Sequence, residues 1–320
     1  MAKQFFLWGT GSLLTVFLFG CTPEASPVWY KGNLHTHTTN SDGDTLPAEV
    51  IRWYKDNGYH FLSITDHNLI TPVDSYRELE TDTFILISGN EISDRSEDKS
   101  IHLLALGLME KSVGPAGGDS IVETMQNNVD AINAGGAVPV LAHPNFRWAY
   151  GAEEMSRISG CRLFEVLNAH PSVNNAGDEA RPSTEEMWDT VLSGGKILYG
   201  IGTDDMHRLA TFTGKSWIMV QAGKLTEKTI LRAIQDGSFY VSTGVIIKRI
   251  RRTKSRIQLR IQGDDTTFIT QFIGSGGRVL KEDHSQNPIY RIKGNEGYVR
   301  ARVTSKNGHL ALIQPVFLKN

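Results

Sequence analysis

The chain has 320 residues, 40% of them hydrophobic and 21% charged, a balance that excludes a disordered chain and a multi-span membrane protein. Thirty-three basic residues against 35 acidic ones leave a net charge of −2, so the overall charge gives no reason to expect a nucleic-acid partner. At roughly 100–200 residues per domain, the length suits one large domain or two smaller ones.

Residues 1–21 read as an export signal: one early lysine leads into Phe5-Phe6-Leu7-Trp8 and then an apolar run ending at Cys21. The run is short of the about 20 mostly apolar residues that a spanning helix needs. Leu18-Phe19-Gly20-Cys21 resembles a bacterial lipobox, which implies a lipid-modified Cys21 at the start of the mature chain. The protein is then expected in the cell envelope, lipid-anchored on the periplasmic or outer-membrane face, with an ordinary signal peptide cut nearby as the alternative. Residues 22–28, with two prolines among small polar residues, form a linker.

From 29 to 244, short apolar runs alternate with helical patterns. The expected strands are 61–65, 84–87, 101–105, 138–142, 164–167, 197–201 and 217–220. Helices open at Pro47, Ser120, Ser183 and Thr226 and close at Asn57-Gly58, Gly135-Gly136, Gly194-Gly195 and Gly237. This alternation predicts a barrel-like α/β domain with its functional groups at the C-terminal ends of strands. Beyond 244 the pattern changes to period two at 256–261, 268–272 and 298–303, and Asn307-Gly308 marks a hairpin turn before 310–313. Residues 245–320 are therefore expected to form a small antiparallel β domain.

Six of the ten histidines lie beside carboxylates at these strand ends. His35 and His37, two apart on an extended segment, point to the same side. Asp42, Asp66-His67, Glu91, His102, His143-Pro144 and Asp205-Met206-His207 follow. Imidazoles with carboxylates suit Zn, Mn or Fe, and a carboxylate can bridge two ions. Arg147, Trp148 and Arg208, close after ligand histidines, are candidates to neutralise substrate charge, while Asn168 and His170 line the same rim and His170 is a candidate proton donor. Cys161, without a partner or a base, reads as a buried apolar residue. The basic run 248–256 fits either attraction of an anionic substrate or lipid surface, or charged protection of an edge strand.

The series His35-Thr36-His37 with Asp42-Gly43, Asp66-His67, Glu91, His102, His143-Pro144 and Asp205-Met206-His207 resembles the PHP family, the polymerase and histidinol phosphatase superfamily of metal-dependent phosphoesterases, over most of residues 29–244. The stretches 186–195, 200–207 and 237–244 look like the branch that includes a carbamate-insecticide hydrolase. The resemblance implies a distorted (β/α)7 PHP barrel followed by the β domain, holding two or three divalent metal ions. His35, His37, Glu91 and Asp205 would hold the first ion, and a bridging Glu91 with His102 and His143 the second. Asp42, His67 and His207 would hold the third; many members of the family have a histidine at the Asp42 position. Asp66 would orient a neighbour rather than bind metal.

The expected function is a metal-dependent phosphoesterase acting on a small-molecule or glycan phosphoester. The alternatives are a carboxylic or carbamic ester hydrolase and a non-catalytic lipoprotein that binds a phosphorylated glycan.

Overall fold

The computed structural model describes Met1 and residues 28–107, 111–263 and 268–318. The expected signal segment with Cys21, and the linker up to residue 27, lie outside the described residues. Among the described residues no helix is long and apolar enough to cross a membrane.

Strand β1 (Val28–Asn33) is followed by helix α1 (Pro47–Asp56), whose opening proline has its φ preset and lacks only a donor that a first turn leaves unpaired. Strands β2 (Phe61–Ser63) and β3 (Ile85–Ile87) then lie parallel to β1. Next comes a hairpin of β4 (Gly89–Ser96) and β5 (Lys99–Leu106). Helix α2 (Ile121–Ala134) begins where the Ser120 hydroxyl accepts the Glu123 N–H, and β6 (Val138–Leu141) pairs antiparallel with β5.

Helix α3 (Ala152–Arg157), β7 (Leu163–Asn168), α4 (Thr184–Ser193) and β8 (Tyr199–Thr203) extend the second sheet in parallel. Ser183 and Glu186 form a capping box at α4, which satisfies two orphan donors reciprocally. After the short α5 (Leu209–Phe212) come β9 (Trp217–Ala222), α6 (Glu227–Gln235) and β10 (Phe239–Ser242).

The remaining chain is all strand: β11 (Ile247–Thr253), β12 (Arg256–Ile261), β13 (Phe268–Gly274), β14 (Arg278–Asp283), β15 (Ile289–Arg291), β16 (Tyr298–Ser305) and β17 (Leu310–Phe317). As expected from Asn307-Gly308, β16 and β17 form a hairpin.

The strands build a mixed α/β architecture but do not close into the expected (β/α)7 ring. One sheet runs β14-β13-β16-β17-β10-β9-β1-β2-β3, a second β4-β5-β6-β7-β8, and a third β11-β12-β15. The cause is visible at β1: β2 occupies one edge and antiparallel β9 the other, so β8 has no edge to pair with. Isolated bridges, Thr36 with Met206 and His67 with Glu91, join the two large sheets at one end, and the Gln314 side chain of β17 hydrogen-bonds the Gly200 backbone of β8. The nine-stranded sheet also crosses residue 244 unbroken, because Tyr240 of β10 pairs with Ile313 of β17.

One core of buried residues including Leu103, Phe164 and Trp188 packs between strands and helices. A second around Tyr240, Phe272 and Val299 fills the C-terminal half, and a third around Val50, Tyr54 and Phe84 lies under α1. Two of these faces are tied by Arg300 on β16, buried and bidentate to Asp189 on α4 at 2.7 Å from each carboxylate oxygen.

Candidate metal centre

The centre forms where the two sheets touch. The segment after β1 continues extended, so His35 and His37 face the same side and Thr36 the other. Its backbone is locked on both flanks: Thr36 N–H donates to the Thr65 hydroxyl at 3.0 Å, and His37 N–H to the Met206 carbonyl at 2.8 Å. Glu91 lies within β4, opposite Leu104, rather than in a loop following a strand, and His102 projects from β5. His143 and Asp205 follow β6 and β8 with left-handed backbones, φ 25° and 48°. Non-glycine residues hold such conformations only where their surroundings over-determine them.

His35 Nε2 and His37 Nε2 are 3.1 Å apart, and each is 3.2 Å from Glu91 Oε2 and from Asp205 Oδ1. Two imidazoles and a carboxylate oxygen at such separations, as in His35, His37 and Asp205, can each lie about 2 Å from one ion, the length of a Zn–N or Zn–O bond, and Glu91 Oε2 is equally close to both imidazoles. Glu91 Oε2 and Asp205 Oδ1 are buried without any hydrogen-bond donor. Two orphaned carboxylate oxygens beside two imidazole nitrogens are costly unless a cation binds them, so this set fits a metal.

Glu91 faces a second group with its other oxygen: Oε1 is 2.9 Å from His102 Nδ1 and 3.0 Å from His143 Nε2. Asp42 is the hub of the third, with Oδ1 3.4 Å from His207 Nε2 and Oδ2 3.4 Å from His67 Nε2. The groups interlock. His67 Nδ1 is also 3.0 Å from Glu91 Oε2, and His37 Nδ1 is 3.7 Å from Asp42 Oδ1. All nine residues singled out as ligands in the sequence therefore converge, in sets able to hold ions.

Sequence reasoning missed Glu165. Fully buried on β7, it accepts from His35 Nδ1 and Thr203 Oγ1 at 2.7 Å, Asn168 Nδ2 at 2.8 Å and the His143 N–H at 2.9 Å. In the neutral ring, the form that a metal requires, the bond to Nδ1 leaves His35 Nε2 with its lone pair directed at the cluster. The available signal was one carboxylate inside an otherwise apolar strand. Asn168 joins the same network, donating to Asp205 Oδ2 at 3.0 Å.

Asp66 contacts no imidazole among its hydrogen bonds. It accepts from Thr38 N–H, Thr38 Oγ1, Ser41 Oγ and Thr71 Oγ1, bracing the loop that carries His37 and Asp42. Gly43 lets that loop close, since a Cβ there would lie 2.7 Å from the Thr38 nitrogen.

Phe146, Arg147, His170 and Ser172 join the ligands around a cavity of about 280 Å³. Arg147, left-handed at φ 50°, stacks 5.2 Å above the Phe146 ring. Trp148 instead packs under Arg181, 4.4 Å from its ring. His170 Nδ1 accepts the Ser172 N–H at 3.2 Å, so the neutral ring carries its proton on Nε2. Arg208 is a correction: it does not line the cavity. The chain turns after His207, where Asp44 Oδ1 accepts the Leu209 N–H at 3.1 Å, and Arg208 becomes the N-cap of α5. Cys161 is buried, and burial pushes its thiol up to about 11, as suits an inert core residue.

The charges are interdependent. Burial opposes ionisation throughout, yet His35 is held well above the usual imidazole range by Asp205, Glu165 and Glu91, and Glu91 well below the carboxylate range by His35 and His102. Burial likewise works against charging His67, but the nearby carboxylates of Asp42 and Glu91 raise it to about 10. Metal-free protein therefore keeps the His67 proton at neutral pH. Its contribution to apoprotein stability is complete below an unfolded value of about 6.5 and is lost as pH rises through about 10. Zinc binding at pH 7.5 is expected to release protons, and its affinity to climb between pH 6 and pH 9. Calorimetry in buffers of different ionisation enthalpy measures this; heats independent of buffer would contradict it.

No family model matches the chain. A 5′-3′ exoribonuclease from Haemophilus influenzae is 35% identical over 77 residues, 24% of this chain, and the match spans only 28% of that relative's length. A solved two-domain protein from Bacteroides vulgatus, described as containing a predicted PHP-like metal-dependent phosphoesterase, overlays with a TM-score of 0.53 at 16% identity. It covers 92% of this chain and 97% of its own. That likeness shows a shared fold across both parts of the molecule. An amidohydrolase from Chromobacterium violaceum, with bound sulfate and no metal, overlaps 57% of this chain and 89% of its own at 13% identity and a TM-score of 0.41.

Proposed function

We propose that the chain is a PHP-type metal-dependent hydrolase that cleaves phosphoesters, exported and anchored through a lipidated Cys21. The observation that carries the reading is the pair of buried, unpartnered oxygens Glu91 Oε2 and Asp205 Oδ1 facing the Nε2 atoms of His35 and His37. His35, His37, Glu91 and Asp205 would hold one ion, Glu91 with His102 and His143 a second, and Asp42 with His67 and His207 a third. Such ions, when bound, lower the pKa of a water and offset charge on a phosphoryl group.

The chain's own side chains supply the rest. Glu165 fixes the tautomer of His35 and, through the His143 N–H, the strained turn after β6. Arg147 on the cavity wall is placed to bind phosphoryl oxygens. His170, neutral because burial lowers its pKa and with its proton on Nε2, is placed to donate a hydrogen bond to the leaving oxygen rather than to transfer a proton to it. His35, His37, Glu91 and Asp205 are buried, so charges among them interact more strongly than they would in water.

The test is hydrolysis of p-nitrophenyl phosphate, bis-p-nitrophenyl phosphate and p-nitrophenyl acetate by the Zn- or Mn-loaded protein and by Asp205→Ala. Phosphoester cleavage is expected, reduced on the order of 10³-fold or more in the variant. Cleavage of the acetate alone would move the reading to carbon esters. No difference between wild type and variant on any ester would remove the hydrolase reading.

A further inference from the structure

The basic run 248–256 is not used by the metal centre. It forms β11 and enters β12, in the small β11-β12-β15 sheet. Alternation sends Ile257, Leu259 and Ile261 of β12 inward, where they are buried, and Arg256, Gln258 and Arg260 outward. Cross-strand register then decides what faces what. Arg249 of β11 stands directly opposite Arg260, Arg251 opposite Gln258, and Arg256 opposite Arg291 of β15. One face of a three-stranded sheet thus carries five arginines, including two like-charged cross-strand pairs.

Directly opposed like charges destabilise an antiparallel pair. Protecting exposed strand edges explains basic residues on β11 and β15 but not Arg256 and Arg260, because β12 is the central strand and has no free edge. Among the described residues none of the five makes an ion pair or a side-chain hydrogen bond. Arg252, which points inward from the same strand, instead donates to the carbonyls of Gly237 and Pro315. The outward guanidinium groups are left with their forked donors available, a geometry matched to phosphate, sulfate or carboxylate oxygens.

Arg249, Arg251 and Arg260 converge with Gln258, Leu259 and Asn287 around a recess of about 220 Å³ that has no carboxylate in its lining. We propose that this face binds an anionic polysaccharide bearing sulfate or phosphate groups. The recess suits a discrete acidic group rather than a flat membrane. The Gln258 and Asn287 amides offer both donor and acceptor to neighbouring hydroxyls. The outward positions of the three strands hold no aromatic ring on which nucleic-acid bases could stack, the usual platform for single strands.

The experiment compares binding of labelled dextran sulfate and of uncharged dextran to the full chain, to Arg249→Ser/Arg260→Ser, and to a control pair, Arg157→Ser/Arg232→Ser. Salt-sensitive binding of dextran sulfate but not dextran is expected, weakened about tenfold or more in the first variant and unchanged in the control. The melting temperature of the first variant should stay equal or rise, since an unfavourable charge pair is gone. Arg249→Lys/Arg260→Lys, which keeps the charge but loses the fork, should also bind more weakly than wild type. Equal binding of both dextrans, unchanged affinity in a folded Arg249→Ser/Arg260→Ser protein, or tighter binding of single-stranded RNA or of anionic phosphatidylglycerol vesicles would each overturn the assignment.

Discussion

Glu91→Gln is expected to lower kcat/KM on the order of 10³-fold or more, and to do so by losing metal rather than by misfolding. The glutamate presents its two oxygens to different groups: Oε1 faces His102 and His143, and Oε2 faces His35, His37 and His67. Glutamine has the same shape but replaces one oxygen by an NH2 donor and removes the negative charge. Whichever way the amide turns, one group loses its anionic ligand and meets a donor where a lone pair is required. The variant should retain its fold, because Glu91 sits on an eight-residue strand paired along its length with β5. Metal content by mass spectrometry, taken beside the kinetics, checks the cause. Full metal content with activity within a factor of about ten of wild type would show that Glu91 does not bridge.

Most of that centre was legible because its chemistry interrupts an otherwise apolar pattern. Histidines and carboxylates at the ends of short strands have few structural reasons to recur, so the nine candidate ligands stand out in the sequence without their neighbours. Helices α1, α2, α4 and α6 were equally legible, since Pro47, Ser120, Ser183 and Thr226 satisfy or avoid orphan donors locally. Strand β4 was not. Its sequence, Gly-Asn-Glu-Ile-Ser-Asp-Arg-Ser, has no apolar alternation, and its turn uses Glu97 and Asp98 at φ 49° and 61° where glycine or asparagine would give the signal. Glu165 was hidden for the opposite reason, being a single acid within an apolar strand whose bonding partners lie on other strands. The open arrangement of the sheets was also out of reach, because nothing local in β1 says that β9 rather than β8 takes its second edge.

The contact least visible in sequence is the one whose loss should cost most in stability. Asp189 and Arg300 are 111 positions apart. Arg300 is 1% exposed; its Nε and one terminal nitrogen each lie 2.7 Å from an Asp189 oxygen, and its other terminal nitrogen is 3.0 Å from Glu185. Tyr298 donates to the same Asp189 oxygen at 2.6 Å, and the guanidinium lies 5.1 Å from the Trp188 ring centre.

Removing one partner of such a pair strands a buried charge, which costs about 3–5 kcal/mol, whereas replacing both by apolar side chains leaves nothing unpaired. Asp189→Ala is therefore expected to lower the unfolding free energy by about 3–5 kcal/mol, and Asp189→Leu/Arg300→Met to recover most of the loss, as read by urea denaturation. The pair joins α4, the connection between β7 and β8 of the five-stranded sheet, to β16 in the C-terminal part of the nine-stranded sheet, so it bears on cooperativity as well as stability. A single transition in wild type that splits into two in Asp189→Ala would place the coupling of the halves in this ion pair. A single transition in both, with the full loss in free energy, would place it in the shared sheet. An Asp189→Ala protein within about 1 kcal/mol of wild type would mean that Glu185 and Trp188 alone suffice to hold the buried guanidinium.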